Sequence, residues 1–159
     1  MAKTLNRRVT AQIDGDFVVF LIGMRFNKPW KLWKWGSVVA AMPRMLAELA
    51  RKPELGLLHA RTWVSPPNIM VVQYWRSFEA LESYARSRDG AHLPAWQAFH
   101  KTVGTSGDVG IWHETYVVRA GAHESLYANM PAFGLGRAGR IVDAVGPRQA
   151  ARGRMTAEA

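Results

Sequence analysis

The chain has 159 residues, 48% hydrophobic and 21% charged, which is enough apolar material for one core and too little length for two independent domains. It has no cysteine, which excludes disulfides, thiolate zinc sites, iron–sulfur clusters, cysteine nucleophiles and thiolate-ligated haem; any metal must be held by histidine or carboxylate. A formal charge of +9 favours anionic partners, yet Arg137, Arg140, Arg148, Arg152 and Arg154 stand in a Gly/Ala-rich final quarter, and the remainder is only mildly basic.

Residues 1–15 are polar and weakly periodic and read as an N-terminal arm ending in the turn Asp14-Gly15-Asp16. The apolar run Phe17 to Met24 is far shorter than the roughly 20 residues of a bilayer crossing, and no signal-peptidase site follows it. We therefore expect a cytoplasmic protein without a transmembrane segment, in which Phe17 to Ile22 forms a central strand covered on both faces. Asn27 is placed to cap, and Pro29 to open, a short helical turn that Gly36 interrupts. From Ser37 to Lys52, Val38, Val39, Met42, Met45, Leu46 and Leu49 recur at three- and four-residue spacing, which predicts an amphipathic helix. Pro43 inside it predicts a kink or a restart, and Pro53 ends it.

Leu55 to Val64 reads as a second strand, Ser65-Pro66-Pro67-Asn68 as a hairpin connection and Ile69 to Trp75 as a third strand. Ser77 caps a second helix that carries Phe78, Leu81, Tyr84 and Ala85 on one face and stops at Asp89-Gly90. A further helical piece starts near His92-Leu93-Pro94, with His92, Trp96, Phe99, His100 and Val103 close to one stripe; Val109 to Arg119 is the fourth strand. The order βαββαβ is the ferredoxin-like split motif, an α+β fold with an antiparallel sheet over residues 16–140. Residues 141–159 read as a flexible basic tail, and Glu124 to Gly136 as a segment wrapping the barrel mouth or a partner. Helices on one face leave the other bare; an identical copy would cover it, giving a homodimeric α/β barrel, and an apolar cavity between sheet and helices is a natural ligand site.

Two motif matches fail on their surroundings. Gly134-Leu-Gly136-Arg-Ala-Gly139 fits G-x-G-x-x-G but lacks the βαβ unit and downstream acid of a dinucleotide site, so no flavin or nicotinamide fold is expected. His113-Glu114 lacks the second histidine of a zincin, because position 117 is Val. In the fourth strand Ile111, His113, Thr115 and Val117 alternate with Trp112, Glu114, Tyr116 and Val118. If the first set faces the interior, His113 enters the pocket as base, hydrogen-bond donor or iron ligand; otherwise it is a core histidine bonded to a carbonyl. His92 is the other candidate iron ligand, projecting beside Trp96 and Phe99, or else merely caps a helix. Three Trp interleaved with Lys over residues 28–35 suit base stacking, a membrane interface or a pocket mouth, while packing beneath the first helix is the structural alternative.

The runs Trp75–Ala85, His92–Trp96, Gly110–Tyr116 and Tyr127–Pro131 together resemble the fumagillin-biosynthesis monooxygenase-like family, often labelled a domain of unknown function, over about residues 15–140. That family looks related to the dimeric α/β-barrel superfamily, which includes antibiotic-biosynthesis monooxygenases, haem-degrading monooxygenases and haem-containing aldoxime dehydratases. The resemblance implies a small monooxygenase, or a haem-linked or aldoxime-dehydratase-like enzyme, acting on a hydrophobic metabolite. It points to His92 as haem ligand. The reading of the residues makes His92 or His113 iron ligand or acid/base, Trp96, Phe99, Trp112 and Tyr116 the pocket walls, and Asn129 a polar contact. The alternatives are a non-catalytic protein binding haem or another apolar ligand and, more weakly, a basic nucleic-acid- or membrane-associated protein; no sequence-specific nucleic-acid contact is expected.

Overall fold

The computed structural model describes residues 3–87, 97, 99–101, 104 and 106–156. After a first strand, β1 (Leu5–Gln12), the chain runs through β2 (Phe17–Phe26), α1 (Leu32–Arg51), β3 (Leu57–Ser65), β4 (Asn68–Trp75), α2 (Phe78–Arg86) and β5 (Val109–Val118). The last four strands form one antiparallel sheet in the order β3-β4-β2-β5, the ferredoxin-like arrangement. The apolar run of β2 takes the interior position expected of it, with Ile22 opposite Val71 on one side and His113 on the other.

Strand alternation sends Val18, Phe20, Ile22 and Met24 to the face that meets the helices, together with Val71, Gln73 and Trp75. Val18, Leu49, Trp75, Leu81 and Tyr84 form the core there. Ser77 caps α2 as expected, its side chain accepting from Ala80 N at 3.2 Å. α1 differs from expectation: it starts at Leu32, includes Gly36 and runs through Pro43 without a break. An interior proline costs about 3 kcal/mol, and burial of Met45 and Leu49 in the same helix opposes that cost. Asn27 caps no helix; its amide donates instead to Gly107 O at 3.0 Å.

The segments read as arm and tail contain regular structure. β1, β6 (Tyr127–Met130) and β7 (Arg140–Asp143) make a second sheet in the order β6-β1-β7, with α3 (Leu135–Ala138) between the latter two strands. β1 buries Val9, Thr10, Ala11 and Gln12 although two are polar, and Ala11 N donates to Ser125 Oγ at 2.9 Å. Beyond β7, α4 (Ala151–Thr156) is fastened by Arg154, whose Nε lies 2.7 Å from Glu124 Oε2 and whose Nη1 donates to Gln149 O at 2.9 Å. Residues 124–136 lie against this chain's own sheets, and Ala11, Tyr127 and Leu135 pack with Phe17 and Val19 of β2 and Tyr74 of β4, covering part of the main sheet's outer face. The glycines of the G-x-G-x-x-G match serve packing: a Cβ on Gly139 would collide with the Gln12 carbonyl on β1. Among the described residues no helix is long and apolar enough to cross a membrane.

Candidate functional site

Between the helices and the main sheet lies a cavity of about 50 Å³. Phe20 and Ile22 from β2 and Met42, Met45 and Leu49 from α1 supply apolar walls, while Gln73 from β4 and Tyr84 from α2 supply the polar groups. Gln73 faces the helices because it shares strand parity with Val71 and Trp75, and it is buried. Its Oε1 accepts from Trp75 Nε1 at 2.8 Å. That bond fixes the amide, turning its NH₂ away from the indole. Tyr84 Oη donates to Glu48 Oε2 at 3.2 Å, and Glu48 Oε1 also meets Lys52 Nζ at 3.2 Å. Burial, then the Glu48 charge, pushes the Tyr84 phenol well above its ordinary range, so it remains a neutral donor.

The candidate residues do not converge on one site. His113 is on the helix side of β5, its ring 5.7 Å from that of the cavity-lining Phe20, and it is exposed. Trp112 and Tyr116 are on the opposite face by strand parity; Trp112 lies over Gly23, where a Cβ would strike its indole. Tyr116 Oη donates to Glu114 Oε2 at 2.6 Å on that same face. Trp112 and Tyr116 are therefore not walls of the cavity beside His113. Asn129, at φ 54°, belongs to β6 in the second sheet and does not enter it either. Phe99 packs with Met24, Val109, Phe26 and Trp35. His92 and Trp96 lie outside the described residues. Gln73 was missed, although a polar residue in phase with Val71 and Trp75 is a signal that strand parity carries.

The described residues do not fit haem. Pockets for drug-sized ligands span about 300–1,000 Å³, against about 50 Å³ here. His113, the candidate axial ligand that lies among the described residues, is exposed on an edge strand and is not among the cavity-lining side chains. A smaller organic ligand is easier to accommodate, because two cavity-lining side chains, Met42 and Met45, are unbranched and can repack.

Residues 17–135 match the family model described as Monooxygenase af470-like. The chain is 28% identical, over 159 residues, to Monooxygenase af470 of Aspergillus fumigatus, covering 86% of this chain and 56% of that protein. It thus spans little more than half the length of that relative. Among solved structures, SnoaB, a cofactor-independent oxygenase from Streptomyces nogalater, is similar at a TM-score of 0.47 and 15% identity, covering 65% of this chain and 94% of that one. A dimeric ferredoxin-like protein of unknown function from Jannaschia sp. CCS1 has a TM-score of 0.43 and 18% identity, covering 61% and 97%.

Proposed function

We propose, from the premise that this chain belongs to the Monooxygenase af470-like family, that it is a small monooxygenase acting on a hydrophobic metabolite between sheet and helices. The observation carrying this reading is an apolar cavity holding one buried, orientation-locked amide, Gln73, within the family-matched stretch. Apolar walls select a greasy substrate and exclude water, and the amide NH₂ faces the oxygen on which charge develops.

The reaction class is oxygenation in which the substrate is its own reductant. His113, beside the cavity-lining Phe20, removes a proton from an activated CH₂, and Gln73 donates to the resulting enolate oxygen. The carbanion reduces O₂ and joins it to give a peroxide. Loss of the second C–H proton then breaks the O–O bond, leaving C=O and hydroxide, which takes up a proton to become water. One CH₂ and one O₂ become one C=O and one H₂O, so no external electron donor enters. Oxygen uptake with a panel of small phenolic aromatics that carry an activated methylene tests this. We expect turnover, slowed about tenfold in His113→Ala because solvent at this exposed position partly replaces the base. Tight binding without oxygen uptake across that panel would instead identify a non-catalytic binder.

The reading includes a homodimer. The second sheet covers part of the main sheet's outer face, while Trp112 and Tyr116 on that face are exposed, apolar surface that a second copy would bury. Sedimentation equilibrium should give a dimer, converted to monomer by Tyr116→Arg; a monomeric wild-type protein at micromolar concentration rejects this part.

A further inference from the structure

We propose that the end of the molecule formed by the β2–α1 connection and the β3–β4 hairpin is a docking surface for an anionic lipid bilayer. Three connections meet there: Phe26 N donates to Pro67 O at 2.8 Å, and Asn27 N and Lys28 N donate to Asp108 O at 3.1 and 3.2 Å. From this end project Trp30, Leu32 and Trp33, with Val64 from the hairpin, exposed to 67%, 60%, 70% and 66%. Pro66 at the hairpin tip is exposed as well.

An ordinary surface connection turns polar groups outward and apolar ones inward; this one does the reverse. Trp35 Nε1 donates to Pro29 O at 3.0 Å, Asn27 donates to Gly107 O, and Lys28 and Lys31 both reach Asp108, at 2.9 and 3.1 Å. The Asp108 side chain is only 3% exposed. The two lysines hold its carboxyl down to about 2, so it remains an anion and anchors the loop at neutral pH. The loop is therefore braced from within, by Trp35 among others, while the indoles of Trp30 and Trp33 point into solvent.

The charge at this end selects the occupant. Two lysines share one carboxylate, and exposed Arg25 adds a further cation on a chain of formal charge +9. Indoles beside surplus cations match the headgroup layer of an anionic leaflet, where the ring sits at the apolar boundary and the cation meets phosphate or carboxylate. A purely apolar protein partner would leave Arg25, and the one lysine charge that Asp108 does not balance, without counter-charge.

Flotation of the full chain with phosphatidylcholine vesicles containing phosphatidylserine, without substrate, tests the surface separately from catalysis. We expect binding that falls with added salt, is weak on phosphatidylcholine alone, and drops about tenfold in Trp30→Ser/Trp33→Ser as inserted apolar area is lost. Both side chains are exposed, and an unchanged circular dichroism spectrum confirms that the variant is folded. The proposal fails if wild-type protein does not float, or if the variant floats equally well, which would place binding elsewhere, as on the arginine-rich C-terminal segment. It fails equally if the variant changes oligomeric state, which would make the patch a contact between copies of the chain.

Discussion

Trp75→Ala is expected to lower the free energy of unfolding by about 3–5 kcal/mol, the largest stability effect of any single truncation in the main core. Trp75 is 1% exposed and packs with Val18, Leu49, Leu81 and Tyr84, the last at a ring-centroid distance of 5.8 Å. Three elements meet on this one side chain, because Val18 comes from β2, Leu49 from α1, and Leu81 and Tyr84 from α2. Truncation leaves a void that the surrounding elements cannot easily collapse into, since each is also held by the sheet register or by a helix. It also strips the buried Gln73 Oε1 of its donor, which adds desolvation cost to the cavity cost. Against a typical total of about 5–15 kcal/mol, the variant should be marginal at 37 °C. Urea denaturation gives the number; a loss below about 1 kcal/mol would show that the core is not organised around this indole.

The same residues show how far local sequence reaches. β2 was legible because a near-continuous β-branched and aromatic run fits only a strand flanked on both sides, and Ser77 was legible because a cap is a local hydrogen bond. The start of α1 was not. Gly36 signals a break, while the helix continues through it into a segment whose Met45 and Leu49 are buried. β1 and β7 escaped notice for a different reason: Val9 pairs with Tyr127 and with Asp143, more than a hundred residues away, so the composition of either segment alone reads as arm or tail. The alternation along β5 was visible, but which set faced the helices was not, because that follows from pairing Ile22 with His113. Hence aromatic residues from both faces entered one supposed pocket, and the glutamine that faces the cavity did not.

Removing the Gln73 amide is expected to reduce kcat about 10²–10³-fold, the loss typical of deleting one preorganised donor to a developing oxyanion. Gln73→Leu alone does not isolate that effect, since it orphans the buried Trp75 Nε1–H at about 1–3 kcal/mol of stability. The informative comparison pairs it with Trp75→Phe, which removes the indole donor but keeps an aromatic ring in the core. In Trp75→Phe the buried Gln73 Oε1 has lost its donor, whereas the double variant Trp75→Phe/Gln73→Leu leaves no orphaned partner, so the double variant should be at least as stable and a fall in kcat between them cannot be a loss of fold. If the amide acts on the enolate, kcat collapses between them while KM changes little, because charge on that oxygen grows only toward the transition state. Equal kcat in the two variants would reduce Gln73 to a bonded core amide that happens to border the cavity. The oxyanion contact would then have to come from another group, and not from the Tyr84 hydroxyl, whose one proton is given to Glu48.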